Sequence, residues 1–117
     1  NLCDDNFLLY SGDDLTACKF MLQGGHGTIS VTANIVPEKI SRISELALKK
    51  NISASDLDKD LEKLHENLFI ESSPIPVKWA LNKMGRIPEG IRLPLSHLDE
   101  AHHAELNEIL LELNLLD

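Results

Sequence analysis

The sequence has little of several features that would each indicate a particular class of protein. Two cysteines, Cys3 and Cys18, are too few for a disulfide framework and have no Cys-x-x-Cys spacing. The 11 basic residues are scattered and outnumbered by 19 acidic ones, whereas nucleic acids and anionic membranes require clustered Lys and Arg. No apolar run approaches the roughly 18 residues of a membrane-spanning helix. We therefore expect no nucleic-acid or membrane partner, and a reducing, cytoplasmic location.

The five histidines do not predict a metal site. His102 and His103 are adjacent, so on a helix they point about 100 degrees apart and cannot both face one ion. His65 and His97 have no second histidine at helical spacing, and His26 lies among glycines, where we expect it to satisfy loop backbone. No Ser/His/Asp or Cys/His nucleophile group is visible. The sequence thus predicts neither a metal nor a cofactor.

Two short apolar stretches, Phe7–Ser11 and Thr28–Thr32, predict neighbouring β-strands. The segment Asp14–Gln23 between them has the pattern of a short helix, with Cys18 on its apolar side as an inert core thiol. Strand, helix and strand form a β-α-β unit, whose parallel strands are usually buried on both faces. Ligands of such sheets bind beyond the carboxyl ends of the strands, so the functional site is expected there.

A glycine run, Gly24-Gly25-His26-Gly27, precedes the second predicted strand. A phosphate cradle has the order strand, glycines, helix, because the helix amides must face the anion. Here the order is helix, glycines, strand, which favours a helix stop and a tight turn. We expect Gly25 or Gly27 to have a positive φ that other residues do not tolerate.

Gly12, Asp13 and Asp14 follow the first strand, and two interpretations of them are possible. One carboxylate caps the following helix, as acids commonly do. Alternatively, Gly12 lets a substrate approach the backbone while one acid lines the pocket. The residues themselves leave both interpretations open.

From Pro37 onward the sequence predicts helices. Pro37 suits a first helical turn, and Ser53 or Ser55 can cap the next helix. The apolar faces are expected to consist of Ile40, Ile43 and Ala47; Leu57, Leu61, Leu64 and Leu68; Val77, Ala80, Leu81 and Met84, ending at Gly85; and Leu106, Ile109, Leu110 and Leu113 within a last helix over Leu98–Leu116. We expect these helices to form the stable core, and the two strands to become ordered only by pairing with another chain or with further strands of a larger fold.

Three motifs resemble those of the dihydrodipicolinate synthase family in the same order. They are Ser11-Gly12-Asp13-Asp14, the stretch GGHGTISVTAN over 24–34, and Glu71-x-x-Pro-x-Pro-x-Lys78, although Ser73 stands where the family more often has Asn. The resemblance implies the carboxyl-terminal part of a TIM (β/α)₈ barrel, with the last two β/α units over 1–52 and a helical region over 53–117. A whole barrel needs about 250 residues, and the chain does not begin with Met, so we expect a portion of a longer enzyme.

The resemblance also implies a reaction. The parent family condenses pyruvate with aspartate semialdehyde through a lysine Schiff base to give 4-hydroxy-tetrahydrodipicolinate, on the path to diaminopimelate and lysine. Gly12, Asp13, Ile29 and Ser30 are the implied substrate-binding residues, with a backbone carbonyl as the contact to the keto acid. The parent is expected to be a homo-oligomer, a tetramer in the family, that uses no cofactor.

No catalytic residue is expected within this chain. An imine-forming lysine must be desolvated to exist as the free amine, and every lysine here falls in a predicted helix rather than a strand. Two alternatives stay open. The chain could belong to another pyruvate-dependent class I aldolase such as N-acetylneuraminate lyase, although Val31 stands where that branch has a polar residue. It could also be a non-catalytic helical interaction module.

Overall fold

A computed structural model of the chain describes residues 3–116. Two short parallel strands, with one helix between them, come first in the chain, and five further α-helices follow. Strand β1, Tyr10–Ser11, pairs with strand β2, Gly27–Thr28, in the register Tyr10 to Gly27 and Ser11 to Thr28. Helix α1, Asp14–Leu22, connects them. The predicted parallel β-α-β unit is therefore confirmed. Asn1, Leu2 and Asp117, which belong to the predicted regions 1–52 and 53–117, lie outside the described residues.

Both strands are shorter than predicted. The predicted strand Thr28–Thr32 ends early, because Val31 is helical and a 3₁₀ helix begins at Thr32 and extends to Asn34. On the other strand, the backbone of Leu9 bonds to that of His26, but Phe7 closes a turn on Asp4 instead of pairing. A strand with one neighbour has only half of its hydrogen-bonding groups paired, so little holds its ends extended.

The helical region consists of five further helices, which are α2, Pro37–Leu48; α3, Ser53–Lys59; α4, Glu62–Asn67; α5, Ile75–Lys83; and α6, His103–Glu112. The predicted stripe is confirmed at Leu61, Leu64 and Leu68, which are fully buried, whereas Leu57 is exposed. The last helix is shorter than predicted, because a 3₁₀ helix over Glu100–His102 precedes it. The Asp99 side chain caps the start of this 3₁₀ helix by accepting a hydrogen bond from the Ala101 N–H.

The core extends beyond the helices that follow Pro37, which were expected to form it. Besides the stripes on α2, α4 and α6, it includes Cys18 and Met21 of α1 and the buried pair Ile35 and Val36 that follows the 3₁₀ helix. Helix α1 therefore anchors the β-α-β unit to the helical region. Whether the two strands need other strands to become ordered in solution stays a prediction.

The outer faces of the strand region are not covered. The side chains of Phe7, Leu8, Leu9 and Tyr10 are exposed, and Ile29 is 76% exposed. The burial on both faces that is usual for parallel strands is therefore not reached in this chain. The physical reason is that the described residues provide only two strands, so no neighbouring strand or helix lies over these faces.

Helix α1 ends in a Schellman motif built by the glycine run. The Gly24 N–H donates to the Met21 carbonyl at 3.1 Å and the Gly25 N–H to the Phe20 carbonyl at 3.0 Å. The predicted helix stop is confirmed, but the expected residue is wrong: Gly24, with φ +116°, has the left-handed conformation, and Gly25 does not. Gly25 has a different constraint, because a Cβ there would lie 2.1 Å from the Phe20 ring, which would have to move.

We predict that Gly24→Ala lowers the free energy of unfolding by about 1 kcal/mol or more, because alanine tolerates a positive φ poorly. Gly25→Ala should cost at least as much through its clash with Phe20, and a Phe20→Leu background should reduce that cost. Gly12→Ala is the matched control, since its added Cβ meets nothing within 4 Å. Urea unfolding of the 117-residue chain measures all of these. A Gly25→Ala protein as stable as the Gly12→Ala control would contradict the packing argument.

Candidate functional site

The four predicted substrate-binding residues lie together at the carboxyl ends of the two strands. Gly12 and Asp13 follow β1 and Ile29 and Ser30 follow β2, and the parallel register places these two exits side by side. The Ser11 carbonyl joins them, since it accepts hydrogen bonds from the Ile29 N–H at 2.8 Å and the Thr28 hydroxyl at 3.2 Å. Such an edge is where ligands of parallel α/β barrels bind.

Hydrogen bonding at this edge distinguishes the Ser30 hydroxyl from the neighbouring backbone carbonyls. The Ser30 hydroxyl points inward, where it donates to the Asp14 carboxylate and accepts from the Ala33 N–H at 2.9 Å. Within residues 3–116, the carbonyls of Ile29 and Ser30 accept no hydrogen bond from the chain. Both carbonyls thus have no hydrogen-bond partner in the part of the chain that the structure describes.

The two adjacent acids have different surroundings. Asp13 is exposed and precedes α1, and its side chain accepts from the Thr16 hydroxyl at 2.6 Å. The Asp14 side chain is buried and accepts hydrogen bonds from the Ser30 hydroxyl, the Val31 N–H at 2.8 Å and the Thr32 N–H at 3.0 Å. Asp14 is thus the structural acid and Asp13 the accessible one. Neither side chain caps a backbone N–H of α1, so the capping interpretation in its simple form is wrong.

A second buried polar group reaches the same loop from the helical region. The Thr32 hydroxyl lies 2.8 Å from Nδ1 of His65, and Nε2 of His65 lies 3.2 Å from the Asp58 carboxylate. Sequence reasoning found no hydroxyl, imidazole and carboxylate group because Thr32 and His65 are 33 residues apart. One signal was available, since His65 follows Leu64 on the buried side of α4. Thr32 is fully buried, so it is not an accessible nucleophile.

His26 and Cys18 have the structural roles that the sequence predicted. The His26 ring accepts from the Leu9 N–H at 3.0 Å through Nδ1, which satisfies loop backbone. Cys18 is buried, and this burial, together with the nearby Asp58 charge, raises the pKa of its thiol despite a hydrogen bond with Ser55. A raised pKa leaves little thiolate at neutral pH, so Cys18 is a poor nucleophile.

The lysines lie on helices or in the turns next to them. None of the eight lies in β1 or β2, and only Lys78 is half-buried while the others are exposed. Lys50 departs from the prediction of a helical position. It follows α2 with φ +58°, and its ammonium donates to the Met21 carbonyl at 3.0 Å.

Among residues 3–116, no three His, Cys, Asp or Glu side chains are grouped so that they could hold a metal ion. Across residues 3–116, no helix is long and apolar enough to cross a membrane.

We predict that Asp14→Ala lowers the free energy of unfolding by about 2 kcal/mol or more, because it leaves a hydroxyl and two backbone N–H groups without their acceptor. Asp13→Ala, at the exposed neighbouring position, should cost less than about 1 kcal/mol. Asp14→Asn keeps one acceptor oxygen and should fall between them. Chemical denaturation ranks the three variants. Equal losses for Asp13→Ala and Asp14→Ala would contradict the assignment of the structural acid.

Comparisons with known proteins agree on one family. The model of the Dihydrodipicolinate synthetase family matches residues 1–113. A 4-hydroxy-tetrahydrodipicolinate synthase from Alcanivorax borkumensis is 53% identical over 116 residues, which are 98% of this chain and 40% of that protein. The enzyme of the same name from Teredinibacter turnerae is 50% identical over 94% of this chain and 38% of its own length.

Solved structures support the same assignment. The dihydrodipicolinate synthase from Acinetobacter baumannii, complexed with pyruvate, superposes with a TM-score of 0.91 at 46% identity, over 94% of this chain and 38% of that one. The enzyme from Thermotoga maritima gives 0.90 at 35% identity, over 95% and 38%. These neighbours confirm the predicted fold class, part of a TIM barrel with helices. The chain spans about two-fifths of the length of the relatives it matches. With a family model matched over nearly all of its residues, the chain belongs to the dihydrodipicolinate synthase family.

Proposed function

We propose that this chain forms the last two β/α units, 1–52, and the carboxyl-terminal helical region, 53–117, of a 4-hydroxy-tetrahydrodipicolinate synthase. The complete enzyme would condense pyruvate with aspartate semialdehyde through a lysine imine. One observation carries the proposal: two parallel strands end side by side, with free backbone carbonyls at the edge where barrel enzymes bind their substrates. The match to synthases along the whole of this chain adds independent support.

Within that enzyme, Gly12, Asp13, Ile29 and Ser30 would border the bound keto acid. Gly12 has no side chain, so a substrate can approach its backbone closely. The carbonyls of Ile29 and Ser30 can accept hydrogen bonds but cannot donate them, so they suit a donor such as the ammonium group of aspartate semialdehyde rather than the carboxylate of pyruvate, which also only accepts. The exposed Asp13 carboxylate would repel the carboxylate of pyruvate, which favours an orientation with the pyruvate carboxylate turned away from Asp13.

The imine-forming lysine would come from another part of the barrel. A lysine amine attacks a carbonyl only when it is unprotonated, which requires burial or a neighbouring cation. Seven of the eight lysines here are exposed, and the half-buried Lys78 lies on α5, away from both strands. The chain would therefore supply walls and backbone contacts, while the covalent step takes place on a residue outside it.

The uncovered apolar side chains suit a role inside a barrel. Strand β1 pairs on one side only, and its other edge has no partner among the described residues. Exposed apolar side chains lie on this strand and just before it, namely Phe7, Leu8, Leu9 and Tyr10. Further strands and helices would remove these side chains from water and pair the open edge. A homo-oligomer and a cytoplasmic location stay predictions. One dihydrodipicolinate synthase of known structure is a monomeric variant, so family membership does not determine the oligomeric state.

A hybrid protein tests the proposal. The part of the Alcanivorax borkumensis synthase that precedes its matched region is joined to Asn1 of this chain, which completes the barrel. With pyruvate and borohydride, intact mass spectrometry should detect one trapped pyruvate on the hybrid and none on the isolated chain. The hybrid should also condense pyruvate with aspartate semialdehyde.

Other results would contradict parts of the proposal. A stoichiometric adduct on the isolated chain would place the imine within it, with Lys78 as the first position to replace. Cleavage of N-acetylneuraminate by the hybrid, without condensation, would favour the sister enzyme. A well-folded hybrid that forms no imine would favour a non-catalytic helical module.

A further inference from the structure

We propose that His65, oriented by Asp58, is a positioning residue that acts through Thr32. The part of the molecule that it positions is the edge formed by Gly12, Asp13, Ile29 and Ser30 at the carboxyl ends of the strands, which we call the substrate edge. This inference rests on the proposed function, because the edge matters only if a substrate binds there. Its basis is the buried hydrogen-bond chain that runs from α3 through α4 to the loop after β2. The helical region would thus determine the shape of the site as well as contribute to the core.

Donor and acceptor roles along this series of hydrogen bonds follow from the chemistry of the groups that form it. The Asp58 carboxylate only accepts, so Nε2 of His65 carries the hydrogen that it shares with Asp58 at 3.2 Å. In the neutral imidazole, Nδ1 is then an acceptor, and the Thr32 hydroxyl donates to it at 2.8 Å. Both ring nitrogens are engaged, which fixes the tautomer and the ring orientation of a histidine that is almost entirely buried.

Thr32 is held from two sides. Its N–H donates to Asp14 on α1, and its hydroxyl donates to His65 on α4. The backbone turns sharply just before it, since Val31 is helical and the 3₁₀ helix begins at Thr32. Only Ser30 and Val31 separate Thr32 from Ile29, so a shift at Thr32 moves the two free carbonyls at the edge.

A positioning role follows from these contacts, and a chemical role for Thr32 does not. Thr32 has no exposed surface, so no substrate atom reaches its hydroxyl. A displacement of about 1 Å at a substrate-contacting group is enough to reduce a rate about a hundredfold. The hydrogen bond to His65 holds the loop against such a displacement, because a buried unpaired hydroxyl would be unfavourable.

Substitutions in the hybrid enzyme test the inference. Thr32→Val has nearly the same shape as threonine but no hydroxyl, and Thr32→Ser keeps the hydroxyl. His65→Gln reaches Asp58 but leaves Thr32 without its acceptor. We expect Thr32→Val and His65→Gln each to reduce kcat/KM for pyruvate by about tenfold or more, and Thr32→Ser to restore most of it. The double variant should lose no more than either single one, because both remove the same contact.

A matched control separates positioning from stability. Asn67 is another buried polar side chain of α4, but it bonds to the Lys63 carbonyl and the Glu105 carboxylate, on the side of α6. Asn67→Ala should lower the melting temperature without changing kcat/KM. All activities are measured well below the melting temperature of each variant.

Two results would overturn the inference. If Thr32→Val and His65→Gln melt earlier but keep the kcat/KM of the unmodified hybrid, the hydrogen-bond chain is only structural. Should His65→Gln not fold, the comparison of Thr32→Val with Thr32→Ser decides. An unmodified hybrid that forms no imine with pyruvate would overturn the proposed function itself, and the inference with it. An active hybrid with unchanged variants would overturn the inference alone.

Discussion

The hydrogen bonds accepted by the buried Asp14 carboxylate are the interaction on which the loop at the carboxyl ends of the two strands depends. This carboxylate lies in the first turn of α1 and collects three hydrogen bonds from the loop that follows β2. A carboxylate this deeply buried is stable only when its oxygens are satisfied, and the three donors are equally costly to leave unpaired. The bonds therefore specify one conformation of the loop, and this conformation turns the Ser30 hydroxyl inward and leaves two carbonyls free.

A second constraint comes from the small number of strands. Two strands pair only with each other, and apolar side chains remain exposed around them, whereas the helical region has a continuous core of leucine and isoleucine. The two parts are joined through α1, whose Cys18 and Met21 enter that core. The helical core can thus hold an edge that would be marginal as an isolated pair of strands.

The helical region and the strand edge are also joined by polar groups. Thr32 is the meeting point, since it bonds to Asp14 on one side and to His65 on the other. Buried polar networks whose members are all satisfied favour a unique arrangement of the elements that they join. In a barrel enzyme, this would make the position of the substrate edge depend on helices far from the strand in sequence.

Local features of this protein could be predicted from its sequence alone. The helix stop at the glycine run and the spacing of the buried stripe Leu61, Leu64 and Leu68 follow from patterns within a few residues, and backbone preferences act over that range. The parallel β-α-β unit follows from the order of strand, helix and strand along the chain. The motifs around Ser11–Asp14 and 24–34 were also sufficient to indicate the family.

Tertiary structure decided the rest. It determined which of two adjacent acids is buried and that β2 ends at Thr28. It also placed His65 on Thr32, a pairing that no local pattern shows. These outcomes depend on contacts between residues from 16 to 33 positions apart, and such contacts form only when helices and strands pack against one another.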